Sequence, residues 1–182
     1  MMPIETLKHE HQIILMVLDA AEREAQSVQN SGKVHAEELD RMLDFFRNFA
    51  DRCHHAKEEE LLFVKMQERG MPVRGGPIAV MLQEHGEGRR RVKAVADALP
   101  QARSGDASAL TSVRGNLLAY VQLLRAHIDK EDNVLYPMAD RLFTPEDQRE
   151  LTEAFEKVEA EEIGEGVHEK YQPVRLRFKQ RS

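Results

Sequence analysis

Apolar residues recur at three- and four-residue steps along most of the chain, a period that predicts amphipathic helices. Over residues 3–29 they are Ile4, Leu7, Ile14, Leu18, Ala21, Ala25 and Val28, with Pro3 in the first turn and Asn30-Ser31-Gly32 as a stop. A second helix is predicted from about His35 to Arg69, carrying Leu39, Leu43, Phe46, Ala50, His54, Leu61 and Met66 near one face and ended by Gly70. Pro77 opens a third, to about Leu99, with Ile78, Met81, Leu82, His85, Val92, Val95, Ala96 and Leu99; Pro100 to Gly105 break its pattern. Asp106 is the predicted N-cap of a fourth, to about Leu142, with Val113, Leu117, Tyr120, Leu124, His127, Val134, Leu135 and Met138 inward. Thr144-Pro-Glu-Asp147 begins a shorter helix to about Glu161. Beyond it, Val174-Arg-Leu-Arg-Phe178 alternates like a strand or an ordered extension. Four long helices with short connections predict an all-α protein: an antiparallel up-down-up-down four-helix bundle over residues 1–143, with a short fifth C-terminal helix and tail over 144–182 packing on it or extending from it.

One stretch of this pattern is used twice. His54-His-Ala-Lys-Glu-Glu-Glu-Leu-Leu-Phe recurs as His127-Ile-Asp-Lys-Glu-Asp-Asn-Val-Leu-Tyr, so that Lys57/Lys130, Glu58/Glu131 and Leu62/Leu135 match and Phe63/Tyr136 are both aromatic. His11 precedes His54 by 43 residues and His85 precedes His127 by 42, so the chain reads as two helical hairpins, each with a lone histidine and a His-x-x-x-Glu pair. Residues four apart share a helix face, about 6 Å apart along the axis, which suits two ligands of one metal. His11 shares its face with Leu7, Ile14 and Leu18, His54 with Ala50, Phe46 and Leu61, His85 with Met81, Ile78 and Val92, and His127 with Leu123, Leu124 and Val134. By the same test His55, backed by Asp51, Asn48 and Asp44, is assigned with Glu59 to the outside or to a place behind the ligands, and His9 is backed by Glu5. The candidate metal residues are therefore His11, His54, Glu58, His85, His127 and Glu131. Each alone is explained as well by a solvated helix face. Six at repeat-related positions are not, because burying carboxylates among leucines without a partner costs several kcal/mol, roughly, and a metal pair removes that cost. Imidazole with carboxylate favours iron, manganese or zinc over calcium or magnesium.

Composition narrows the setting. At 182 residues the chain fits one domain, and a formal charge of −6 argues against nucleic acid as a partner. Cys53 is the single cysteine, no secretory signal opens the chain, and no run approaches the roughly 20 apolar residues of a membrane span. A cytoplasmic protein with no membrane association is expected.

These residues closely resemble the hemerythrin-like, HHE cation-binding family. The resemblance covers about residues 4–142 and rests on Leu7-Lys-His-Glu-His11, His54-His-Ala-Lys-Glu-Glu59 with Leu62-Phe63, Gly75-Gly-Pro77 leading to Glu84-His85, and His127 to Pro137. It implies a four-helix bundle around two non-haem iron ions, with His11, His54, His85 and His127 as terminal ligands and Glu58 and Glu131 as bridges. Respiratory members have a fifth histidine four residues after that of the third helix and an aspartate bridge on the fourth; here those positions hold Arg89 and Glu131. The departure points away from reversible oxygen carriage. It resembles more the four-histidine, two-glutamate members associated with iron–sulfur cluster repair and nitric oxide or peroxide chemistry, which usually carry a further cysteine-bearing N-terminal domain, whereas this chain starts directly at the bundle.

Other features read two ways. Cys53 is expected to pack, and Tyr120 and Tyr136 are core or rim aromatics or hydrogen-bond donors to a bound oxygen species. Lys57 and Lys130 are solvated, or partners of Glu10 and Glu84. Arg89 faces the metal cavity or reaches solvent, and the Arg89-Arg-Arg91 run and the basic tail Arg175 to Arg181 are expected to be exposed. His35 and His168 lie away from the site. The sequence thus predicts a di-iron protein that binds or senses a small diatomic or peroxide ligand, with peroxide or nitric oxide reduction, or iron storage and delivery or an interaction role related to iron–sulfur repair, as alternatives; zinc or manganese would fill the same residues. No protein partner is assigned.

Overall fold

The computed structural model describes residues 1–162; the tail segment Val174 to Phe178, the basic run Arg175 to Arg181 and His168 lie outside the described residues. All regular structure among the described residues is helical, in five rods. The first is α1 (Pro3–Ser31). The second joins α2 (Ala36–Phe45), two π-helical stretches, π1 (Phe46–His55) and π2 (Glu58–Leu62), and α3 (Phe63–Glu68). The third is α4 (Pro77–Arg103), the fourth joins α5 (Ala107–Lys130), π3 (Glu131–Leu135) and α6 (Tyr136–Leu142), and the fifth is α7 (Pro145–Glu162).

Rod ends follow local chemistry. Gly32, at φ 65°, takes the left-handed conformation that closes α1 and donates to the Val28 carbonyl. The Asp106 carboxylate accepts the Ala109 N–H at 2.7 Å, capping α5. Before α7, Asp147 accepts from the Thr144 N–H at 2.8 Å while its own N–H donates to the Thr144 hydroxyl at 3.2 Å. Arg69 grips the same carboxylate through two nitrogens, at 2.9 and 2.7 Å, which joins α7 to the end of the second rod and holds the Asp147 carboxyl well below the usual range.

Two sequence expectations change. The third helix does not stop before Pro100 but runs through it to Arg103. Leu99 and Ala102 are buried in the core there, and the missing proline N–H costs one bond in the final turns. Val134, expected inward, is 51% exposed. It lies in π3, whose wider i→i+5 turn moves it off the apolar face while Leu135 stays buried.

The core is in two parts. The larger contains Ile14, Leu18, Phe46, Phe49, Val95, Val113, Leu117 and Leu124 among others, and the smaller contains Ile4, Leu7, Leu62, Phe63, Ile78, Met81, Leu135 and Tyr136 with Leu151 and Phe155 of α7. On the first three rods the candidate metal residues fall between the segments that enter the two parts, and on the fourth Glu131 does, with His127 one residue before the last residue of the larger part, Ile128. The first and third rods pass from the smaller part to the larger, the second and fourth from the larger to the smaller. A polar layer therefore has apolar packing on both sides. Among the described residues no helix is long and apolar enough to cross a membrane.

Candidate metal centre

Three backbone irregularities shape this layer. The Phe63 N–H reaches back five residues to the Glu58 carbonyl, and the Tyr136 N–H does the same to Glu131, so each repeated glutamate opens a π-helical turn. A third such bond, from Ala56 to Asp51, lies at the histidine pair. Turns of this kind are rare and concentrate at functional sites.

The structure brings all six sequence-predicted residues together and buries each of them: His11, His54, Glu58, His85, His127 and Glu131 are no more than 1% exposed. Donor atoms of His11, His54, Glu58 and Glu131 lie within 4.8 Å of one another, and so do those of His55, Glu58, His85 and His127. Glu58 belongs to both groups. Glu131 also touches both, at 3.2 Å from His11 Nε2 and 3.0 Å from His127 Nε2.

His55 corrects the sequence assignment, being 4% exposed and turned into the cluster. A face test with a constant α-helical rotation of about 100° per residue cannot place two adjacent histidines inward. In π1 the rotation per residue is smaller, and both fall on the inner side. The only sequence signal was the His-His dipeptide itself.

Behind the ring nitrogens stands a second set of carboxylates. The Nδ1–H of His11 donates to Asp132 at 2.9 Å, of His54 to Glu10 at 2.8 Å, of His85 to Glu59 at 2.7 Å and of His127 to Glu84 at 2.9 Å. This fixes each tautomer and aims the Nε2 lone pair at the centre, the arrangement carboxylates impose on metal-bound imidazoles. The duplication shows again. Glu10 and Glu84 serve a histidine of their own hairpin, whereas Glu59 and Asp132, repeat-related, each serve the lone histidine of the other. Lys57 and Lys130 are partners of Glu10 and Glu84.

The donor set fits a metal pair. Glu58 Oε2 and both oxygens of Glu131 are buried and have no hydrogen-bond partner. His85 Nε2 and His127 Nε2 face each other at 3.0 Å; with both Nδ1 protons committed to carboxylates, their lone pairs meet unless a proton or an ion lies between or beside them. About 3 Å is also the spacing of neighbouring nitrogens that share an ion at about 2.1 Å. Orphaned carboxylate oxygens and converging lone pairs are what an ion satisfies and what a buried polar network avoids otherwise.

Protons fill part of this role in the metal-free chain. Burial, the largest influence, disfavours imidazolium at His11 and His85, yet Asp132 and Glu131 around the first, and Glu58 and Glu59 around the second, raise both pKa values to about 9. Burial is likewise the largest influence on Glu131, and it is outweighed by His127 and His11, which hold this carboxyl well below the usual range. His55 goes the other way, pushed well below 6.5 by burial and by the neighbouring histidines and Arg89. Metal binding at His11 and His85 must expel their protons, so loading near pH 7.5 is expected to release about two protons per chain, with affinity rising up to about pH 9. Calorimetric titration in buffers of different ionisation enthalpy measures this; heats that do not vary with buffer would contradict it. By the same linkage, the raised pKa values stabilise the metal-free fold fully below about 6.5, and that contribution is lost as pH climbs through about 9.

The remaining features take definite places. The Tyr136 hydroxyl donates to Glu58 Oε1 at 2.6 Å and lies 3.3 Å from His11 Nε2, while Tyr120 packs on Phe46 in the core. Cys53 is buried, and its thiol is pushed up to about 12, chiefly by burial, which makes it inert. His9 is exposed, and His35 pairs with Glu24 at the start of α2. The Arg89 guanidinium binds Asp51 and Glu59 instead of entering the cluster.

Helical rods with histidines and glutamates converging on a buried cluster compatible with metal binding define the class of protein. The model of the hemerythrin HHE cation-binding domain matches residues 2–139, and the chain belongs to that family. Its relatives include an uncharacterized protein of Mycobacterium bovis and two of Mycobacterium tuberculosis, each 24% identical over 161 residues. The match takes in 88% of this chain but 62% of those proteins, so the chain spans less than two thirds of their length. No solved structure matches the chain.

Proposed function

We propose that this chain is a non-haem di-iron protein that binds or senses a small oxidant, namely oxygen, nitric oxide or peroxide. The observation that carries this reading is the pair of buried glutamates, each within reach of imidazoles from both donor groups and each with carboxylate oxygens that accept no hydrogen bond. Such carboxylates suit two ions better than one. The reversal of core order from rod to rod supports an antiparallel up-down-up-down bundle as the frame, and the lone buried cysteine goes with a cytoplasmic setting.

Iron held there would supply redox change and coordination positions left open by the protein. The residues of the chain do the rest. Glu10, Glu84, Glu59 and Asp132 hold the ring nitrogens in place, so little reorganisation accompanies binding. Apolar packing on both sides excludes water, and the Tyr136 hydroxyl, whose proton is retained by burial and by the neighbouring glutamates, is placed to hydrogen-bond an anion beside Glu58. A surface cavity of about 170 Å³ reaches as far as His55 and gives a small molecule a way in.

Elemental analysis of protein from iron-replete cells is expected to give about two irons per chain, lost in the His54→Ala/His127→Ala double variant. Titration of the iron-loaded protein with oxygen, nitric oxide and peroxide should then change its absorption spectrum with at least one of them. No response to any would overturn the oxidant role; absence of iron would overturn the site. Sustained consumption of peroxide or nitric oxide with a reductant would identify an enzyme instead of a binder.

A further inference from the structure

We propose, building on the two-metal reading above, that His55 is a third imidazole donor at one of the two metal positions and makes those positions unequal. A His55 ring nitrogen lies within 4.8 Å of donor atoms on Glu58, His85 and His127. Burial alone would not make it a ligand, since a buried neutral imidazole can simply pack. Its second nitrogen is more informative.

His55 Nδ1 faces Asp51 Oδ1 at 3.4 Å, as each of the four other buried histidines faces a carboxylate, which leaves Nε2 toward the cluster. A carboxylate partner by itself does not mark a ligand, for His35 also has one, Glu24, with a side chain 63% exposed at the start of α2. What distinguishes His55 is that its carboxylate is tied to that of a ligand histidine. Arg89 donates from Nε to Asp51 at 2.8 Å and from Nη2 to Glu59 at 2.7 Å, and Glu59 accepts from His85. One guanidinium thus sets the carboxylates behind His55 and His85 together. The two rings stack at a centroid distance of 3.9 Å, so joint ligation requires His55 to rotate; a cavity walled by Phe46 and Tyr120 lies beside it.

The internal repeat shows that this donor is not duplicated. Ile128 stands at the position equivalent to His55, and Phe63 at the position equivalent to Tyr136. Three imidazoles and Glu58 therefore surround one position. The other has His11, His54 and both glutamates, with the Tyr136 hydroxyl alongside.

Cobalt(II) substitution of the 182-residue chain tests this without reference to activity. Every coordinated histidine that keeps an Nδ1 proton contributes one exchangeable, hyperfine-shifted proton resonance, so the wild type carrying two cobalt ions is expected to show five. His55→Leu should lose one resonance and weaken one of two cobalt-binding steps by about tenfold or more, leaving the other step and the metal-free helicity unchanged. Four resonances in wild type carrying two ions, or five that persist in the variant, would overturn the His55 assignment and leave the two-metal reading standing. A wild type that binds fewer than two cobalt ions would overturn the two-metal reading and this inference with it.

Discussion

Glu58→Ala is expected to empty both metal positions. Glu58 is the residue common to the two donor groups, 3.4 Å from His85 Nε2 on one side and 3.8 Å from His54 Nε2 on the other. On the two-metal reading proposed above its removal takes a ligand from each ion, so affinity at both should fall by more than the roughly 10- to 100-fold that follows loss of a group behind the ligands. The metal-free fold should change far less. Tyr136 loses its acceptor, at a cost of about 1–3 kcal/mol, while one buried negative charge disappears, which works in the opposite direction. Thermal melts with and without metal separate these effects. Metal that binds only the folded state should raise the wild-type melting temperature, and that increment should vanish in the variant. Two ions per chain retained by Glu58→Ala would refute a shared carboxylate.

Lys57→Met is expected to destabilise the metal-free protein by about 3–5 kcal/mol, and Lys130→Met by about 1 kcal/mol or less. The two lysines hold the same place in the repeat and bind repeat-related glutamates. Their surroundings differ. The Lys57 ammonium is fully buried, 2.5 Å from Glu10 and 2.6 Å from Glu159 of α7, with the Phe155 ring 5.6 Å away. Burial opposes its charge, but Glu10 outweighs burial and keeps it protonated. Methionine there removes a positive charge from beside a glutamate that water does not reach, and it removes a contact that docks α7. The Lys130 side chain is 40% exposed and binds Glu84, itself 19% exposed, where water replaces much of the lost interaction. Urea denaturation midpoints of the two variants measure the contrast. Equal losses would show that the buried ion pair has no special weight.

The sequence by itself determined the helical class, most rod boundaries and six of the seven histidines and glutamates that cluster in the buried layer. Apolar steps of three and four residues locate a buried helix face wherever the α-helical rotation holds, and a repeated His-x-x-x-Glu on that face has few explanations besides a metal. Stop and start chemistry is equally local, as Gly32, Asp106 and the Thr144–Asp147 box illustrate. What only the tertiary structure decided is where that rotation fails and which of two equivalent positions becomes buried. The π-helical turns at Glu58 and Glu131 and around Asp51 carry no residue signature. They turned His55 inward and Val134 outward against a constant-period expectation. Lys57 and Lys130 are indistinguishable in the repeat, and one is buried because α7, which has no counterpart in the duplication, brings Phe155 and Glu159 over it. Local periodicity fixes the face a residue shares with its neighbours; water is excluded from that residue by segments distant in sequence.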